Sequence, residues 1–393
     1  MRVTTTVALA GATAFAGVMT LAIGTGLAAP APTLAGAAAP RHEALVSVSC
    51  QTSRDCLAIG LGDGPVPLAE TWNSTAWHPV RVKLPAGSTN VVFDAVAAAR
   101  TAGTFVAVGS YTRKNPYGFF NAFADEWNGN VWTPAEPPGG GDGQLNAVSC
   151  SSPESCLAIG SFSDPEGGQA GELADRRNGS TWTSLSPPIA LGGPGSVLNA
   201  VSCVAGPHCV AVGPTFAGKT LVFSWNGGSW QPLKAAPVKG VSKLSLDSVS
   251  CASANSCVAV GNGSGKPGDV AEVWNGASWA ATRPIAWPKG ATNPQVTGVS
   301  CANAGYCLAV GIIDRNPKTG GSGRAAASLW NGKRWSATTV AAPGGNQISA
   351  FGGVTCLRPT FCAAVGQAGP SGLASSTGLS GFWNGKSWRL VVA

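Results

Sequence analysis

Twelve cysteines stand in six pairs of one spacing: Cys50/Cys56, Cys150/Cys156, Cys203/Cys209, Cys251/Cys257, Cys301/Cys307 and Cys356/Cys362. Thiols admit two chemistries, metal ligation and disulfide formation. Zinc ligand pairs usually sit about two to four residues apart, and two pairs must converge on one ion. Five residues intervene in every pair here, and only His42, His78 and His208 are present to supplement them. No metal site is expected. Two cysteines opposed at a non-hydrogen-bonded site of an antiparallel hairpin have a Cα separation that suits a bridge. Six local disulfides are therefore predicted as rivets on the hairpins, each worth about 2 kcal/mol in the chain-entropy view.

Catalytic constellations are scarce. A serine triad needs a histidine base, and three histidines leave little choice. No nucleophile elbow or His-Glu-x-x-His stretch occurs. Glycosidase work needs two acids across a pocket, and Asp63, Asp164, Glu166, Asp269 and Asp314 are isolated in the chain. No cofactor is expected, and binding is favoured over catalysis. A carbohydrate-active enzyme of glycoside hydrolase type is the alternative.

Binding chemistry is concentrated in two long connections. One carries Tyr111, Arg113, Lys114 and Tyr117, the other Asp314, Arg315 and Lys318. Cations beside aromatic rings hold an acidic or glycan partner through charge-assisted bonds and stacking. These seven residues are the candidate ligand-binding set, and the expected partner is an extracellular glycan, cell-wall component or protein.

The elements that must position them repeat along the chain. Seven segments begin near Val46, Phe93, Leu145, Leu198, Leu246, Val296 and Phe351. Each holds about four short strand-like runs broken by Gly, Asn, Pro or Ser, at a spacing of roughly 50 residues. With Gly 54, Trp 14 and charged residues at only 11%, this predicts an all-β chain: a seven-bladed β-propeller with four antiparallel strands per blade. The repeats fall at about 45–88, 93–138, 145–190, 198–238, 246–288, 296–343 and 351–393, within one domain over residues 41–393. The second repeat lacks its cysteine pair, having Ala98 and Thr104 or Phe105 there.

Most repeats end in Trp-Asn-Gly-x-x-Trp. Asn-Gly is the preferred pair for a two-residue type I′ hairpin turn. Such a turn opposes Trp383 to Lys386 and leaves Trp388 on the diagonal, at roughly 7–8 Å from Trp383. Recurrence in nearly every repeat assigns these rings to blade-on-blade contact rather than to a ligand platform.

At these residues the chain resembles bacterial propeller repeats of the Asp-box or BNR class, including photosystem-assembly-factor-like propellers. The likeness rests on the strand ending Ala-Val-Gly, the Gly three places before the closing Trp, and that Trp itself. It covers about residues 45–393 and implies the fold rather than a reaction. The place of the family's Asp holds Trp, or Arg177 in the third repeat. Sialidases are similar in repeat, but their arginine triad and Tyr/Glu pair find no match among the three tyrosines and scattered arginines of this chain.

Residues 1–40 differ in kind. Arg2 precedes an uncharged Ala/Gly/Thr/Val/Leu run that ends in small residues and prolines, the layout of a secretory signal followed by a linker. Cleavage after Ala28, Ala29 or Ala37 is expected, in preference to a membrane anchor over residues 7–23. The mature protein is then secreted or cell-wall associated, a monomer with no membrane span. The formal net charge is +7, with Lys and Arg read as scattered. Without a basic stripe interleaved with aromatics, no nucleic-acid partner is expected.

Overall fold

The computed structural model describes residues 43–62, 66–99, 101–113, 120–138, 141–162, 170–185, 193–266, 268–314, 323–341, 348–369 and 376–392. The leader, Lys114, Tyr117, Arg315 and Lys318 lie outside them. The described strands form seven sheets, each of four consecutive antiparallel strands. Blades 1 to 7 span residues 44–79, 88–135, 143–184, 200–232, 241–281, 292–338 and 348–392. The chain is a seven-bladed β-propeller, as its repeats predict.

First strands meet one another around the ring. In the repeated Val-Ser-Cys, the serine hydroxyl accepts a hydrogen bond from the backbone of the next blade. Ser149 Oγ takes the Cys203 N–H at 2.9 Å, Ser202 that of Cys251 at 2.9 Å, Ser250 that of Cys301 at 2.9 Å and Ser300 that of Cys356 at 2.8 Å. In blade 1, Ser49 Oγ takes the Ala98 N–H at 2.9 Å. Blade 2 has Ala97 at this place.

The glycine closing the Ala-Val-Gly strand answers a bulge in the first strand. Register slips by one residue between Leu246 and Ser248, leaving Asp247 unpaired, and the same slip recurs elsewhere, as at Val46 and Asp94. The bulge drives the Ser245 carbonyl against Gly261, where a Cβ would lie 1.9 Å from that oxygen. Only a residue without a side chain fits so close an approach.

Each cysteine pair is a disulfide between directly opposed residues, with Cα separations from 3.9 Å at Cys150/Cys156 to 4.1 Å at Cys356/Cys362. No cysteine is free. The bridges pin the tip of the first hairpin in every blade except the second. The bridges rivet the hairpins as expected, and most of their second-strand cysteines are also buried. Cys56, Cys307 and Cys362 have no exposed surface and Cys156 is only 1% exposed. All four open their second strands, where the side chain points into the packing between blades rather than outward. Cys56 joins Trp72 and Phe382 in the core shared by blades 1 and 7, Cys156 packs with Val148 and Trp182, Cys307 with Trp330, and Cys362 with Trp383. A disulfide is apolar enough to serve as core, so these four residues do two structural jobs at once.

The tryptophan hairpins correct the expected turn. Trp383 pairs directly with Trp388, not with Lys386, and the same holds at Trp225/Trp230 and Trp274/Trp279. The connection is a four-residue loop. Asn384 Oδ1 accepts the N–H groups of both Lys386 and Ser387 at 2.9 Å, and Gly385 takes φ +93°. A side-chain turn of this kind satisfies two donors that a two-residue turn leaves to the strands. The paired rings then sit 5.2–5.7 Å apart between centroids. In blade 1 the glycine place holds Ser74, at φ 85°. In blade 3 Arg177 replaces the first Trp and clamps Glu126 of blade 2 through Nε and Nη2, the latter at 2.7 Å.

Ring closure needs no strand exchange. Trp77 Nε1 donates to Ser380 Oγ at 2.9 Å, the Trp72 ring lies 4.4 Å from Phe382, and Arg389 caps Phe382 at 4.9 Å. Blades 1 and 7 thus meet through side chains, and the Glu43 N–H donates to the Ser376 carbonyl at 2.9 Å.

Candidate functional site

Strand alternation sorts the connections onto two faces. Disulfide tips and Asn-Gly loops share one face, while the second-to-third-strand loops and the blade-to-blade connections share the other. Apart from one extra residue in the first hairpin of blade 2, the length variation in the repeats lies on this second, loop face, where binding residues are usually carried. The cysteines contribute no chemistry to either face. With Cys56, Cys156, Cys307 and Cys362 buried and every thiol bridged, they offer neither nucleophile nor ligand.

The structure brings part of the candidate set together. Tyr111 is 1% exposed, with its ring against Phe123. Its hydroxyl donates to Glu136 Oε1 at 3.1 Å, and Arg113 Nη2 donates to both that hydroxyl and Glu136 Oε1, at 2.8 and 2.7 Å. Burial, then the Glu136 charge, raises the Tyr111 phenol above its ordinary value. Asp314 lies in blade 6, separated from this trio by blades 7 and 1. It accepts from Asn293 Nδ2 at 3.1 Å.

A larger feature of the loop face went unread in the sequence. Between blades 4 and 5 lies an open cavity of about 400 Å³, lined among others by Lys219, Thr220, Lys234, Pro237 and Lys243. The three lysines come from three segments: the blade 4 loop, the connection to blade 5, and the first strand of blade 5. All are exposed, and no carboxylate is part of the lining. The signal was available in charge order, because residues 176–246 contain no Asp or Glu. A scattered net charge hides a local one when acids are missing from a single repeat.

Buried acids were also missed. Glu70, Asp125, Asp175 and Glu272 all stand two places before the Trp position that ends the third strand, and all are buried. Glu272 Oε2 accepts the Ala236 N–H of the connection at 2.9 Å, so it serves the backbone rather than a ligand. Burial raises its carboxyl to about 7 and that of Asp125 to about 8. Two more acids occupy first-strand bulges. Asp247 accepts from Ser245, Asn199 and Asn262, at 2.6, 3.2 and 2.9 Å. Asp94 has no such partners, and burial pushes its carboxyl up to about 7. Among the described residues no group of three or more His, Cys, Asp or Glu is placed to hold a metal ion.

No family model matches the chain, and no curated protein does. Its likeness is to solved structures. A GH74 xyloglucanase from Xanthomonas campestris superposes with a TM-score of 0.59 at 16% identity, over 88% of this chain and 55% of that one. This chain thus spans about half the length of the xyloglucanase. A PL25 ulvan lyase gives 0.53 at 10% identity, over 87% and 92%. YCF48 bound to D1 peptide gives 0.50 at 14% identity, over 86% and 97%. At such identities the likeness establishes the propeller fold alone, which hosts many unrelated functions.

Proposed function

We propose that this chain is an exported, non-enzymatic propeller that binds an extracellular glycan or cell-wall polymer on its loop face. The observation that carries the reading is the cavity between blades 4 and 5. It opens on the variable face and offers lysines, a hydroxyl and apolar surface without a carboxylate, a lining suited to holding a ligand rather than to hydrolysing one. Six disulfides fit an extracellular protein. Among the described residues no helix is long and apolar enough to cross a membrane. The xyloglucanase and ulvan lyase lend the glycan class some support, and YCF48 with its peptide supports a protein partner less directly.

A glycan array with the labelled mature protein tests this. Retention on a defined set of polysaccharides, with no shortening of the bound chains by mass spectrometry, is the expected result. Retention on none of them would sink the reading.

The enzyme alternative has one observation in its favour. Asp94 and Asp247 stand at equivalent bulges in unlike environments, one unpartnered and one hydrogen-bonded three times, as an acid and a base often do. Chain shortening that disappears in both Asp94→Asn and Asp247→Asn would establish that alternative.

A further inference from the structure

Two features of the blade 4/5 cavity, and one of the loop that borders it, concern the chemistry of what it holds. The first is the convergence of Lys219, Lys234 and Lys243 without an acid in the lining. The next acid along the chain, Asp247, is already engaged by Asn199, Asn262 and Ser245. Glu272 is not in the lining and accepts the N–H of Ala236, which is, at 2.9 Å. The lining itself thus carries three positive charges and no negative one.

The second feature is the backbone of Lys243. It adopts φ +49° in a second slip of the first-strand register, between Ser242 and Ser245. Equivalent slips in blades 2 and 6 hold Asn90 at φ 49° and Asn293 at φ 46°. Asparagine tolerates this left-handed region, and each uses its amide locally: Asn90 donates to Thr112 Oγ1 at 3.1 Å, Asn293 to Asp314 Oδ2 at 3.1 Å. Lysine gains no such bond. Its stem lies instead over Gly218 of the blade 4 loop, where a Cβ would come 3.0 Å from Lys243 Cγ. A cation held in a costly backbone conformation on a cavity wall marks a site where function outweighs stability.

The third is Phe216, two residues before Gly218 and 74% exposed. Its ring rests on Gly195, whose Cβ would fall 3.1 Å from Phe216 Cβ. This leaves an apolar plate on the loop that carries Lys219, outside the cavity lining itself, of the kind on which a sugar ring stacks.

We infer that the cavity between blades 4 and 5 is the subsite for a polysaccharide carrying repeated carboxylate or sulfate groups. Lys219, Lys234 and Lys243 take the anions, and Phe216 stacks a sugar ring. The inference rests on the glycan reading above and narrows it to anionic polymers.

Isothermal titration of the mature protein with polygalacturonate, dextran sulfate, neutral dextran and polyglutamate tests it. Binding to polygalacturonate or dextran sulfate is expected, with the stronger of the two telling carboxylate from sulfate. Affinity should fall steeply with added salt. The triple variant Lys219→Gln/Lys234→Gln/Lys243→Asn should lose at least about tenfold in affinity. Lys243→Asn alone should weaken binding while raising the unfolding temperature, which separates loss of site from loss of fold. Phe216→Ala should weaken binding to the sugar polymers only. Unchanged affinity in the triple variant, or neutral dextran bound as tightly as the charged polymers, overturns the inference. Polyglutamate bound equally well, with Phe216→Ala silent, overturns its sugar component. A protein retained on the array by neutral glycans alone refutes the anionic subsite and leaves the glycan reading standing; no retention anywhere removes both.

Discussion

The indole Nε1 of Trp335 donates to Thr282 Oγ1 at 3.1 Å, across the boundary between blades 6 and 5. Trp388 repeats the bond to Thr338 of blade 6 at 3.0 Å. In both cases the threonine stands three residues after the closing Trp of the preceding blade. That place holds Val80, Ala135, Leu185 and Leu233 in blades 1 to 4, and the indoles that face them, on Trp132, Trp182, Trp230 and Trp279, are buried with Nε1 unpaired. One position therefore decides whether the next blade's indole is satisfied. Trp77 is met from another direction, by Ser380.

Val80→Thr supplies the missing acceptor to Trp132 with little change in volume. It should stabilise the propeller by about 1 kcal/mol, and Thr282→Val should cost about 1–2 kcal/mol by orphaning Trp335. Urea unfolding midpoints of the two variants, moving in opposite directions, provide the check.

Ser74 occupies the left-handed place that glycine fills in the other tryptophan loops. A non-glycine residue there costs about 1–2 kcal/mol, while glycine adds about 0.5–1 kcal/mol of chain entropy to the unfolded state. The first effect wins, so Ser74→Gly should raise stability by about 0.5 kcal/mol. A fall in thermal midpoint would contradict this account of the loop.

Blade 2 lacks both the disulfide and the serine that ties most first strands to the next. Ala97→Ser should restore the tie to the Cys150 N–H and slow amide exchange at that residue. In blade 5, Ser250→Ala removes the same bond from Cys301 and should cost about 1 kcal/mol. Equal exchange rates before and after Ala97→Ser would show that the blade 2/3 boundary is held in another way.

The Asp94 carboxyl stands at about 7, against an ordinary value of 3.8, because burial disfavours its charge. The folded protein thus keeps a proton between about pH 4 and 7 that the unfolded chain releases. Asp94's contribution is fully present below about pH 4, and stability is lost as pH rises towards 7. Asp94→Asn should match the wild type near pH 4 and exceed it by about 2 kcal/mol at pH 8, roughly half the full linkage value because the bulge is partly hydrated. Denaturation curves at the two pH values measure it, and a gap that does not widen between them argues against a buried titrating Asp94.

Much of the architecture was legible because it recurs. Cys-x5-Cys and the Trp pairs repeat at fixed spacing, so blade number and local bridging followed from counting. Spacing says nothing of depth, however, and the burial of Cys56, Cys156, Cys307 and Cys362 emerges only once neighbouring blades close over the second strands. The tryptophan register escaped because Asn-Gly has two uses: its backbone favours a two-residue turn, whereas the Asn384 side chain bonds two N–H groups and widens the loop. The buried acids escaped because a single Asp or Glu between apolar residues reads as an outward-facing position until Ala236 is seen to supply its partner. The lysine cavity escaped for a different reason. Lys219, Lys234 and Lys243 are dispersed in sequence, and only the folding of the blade 4 connection against blade 5 gathers them, whereas Tyr111 and Arg113 looked prominent in a loop yet turn inward to Glu136.

Closure of the ring by Trp77, Phe382 and Arg389, with every sheet made of consecutive strands, frees the blade order from the chain ends. Joining the present ends with a linker and opening the chain in any connection between blades would leave all seven sheets intact. The molecule is in this sense a cyclic array that happens to be cut between two of its members, and circularly permuted versions should assemble the same ring.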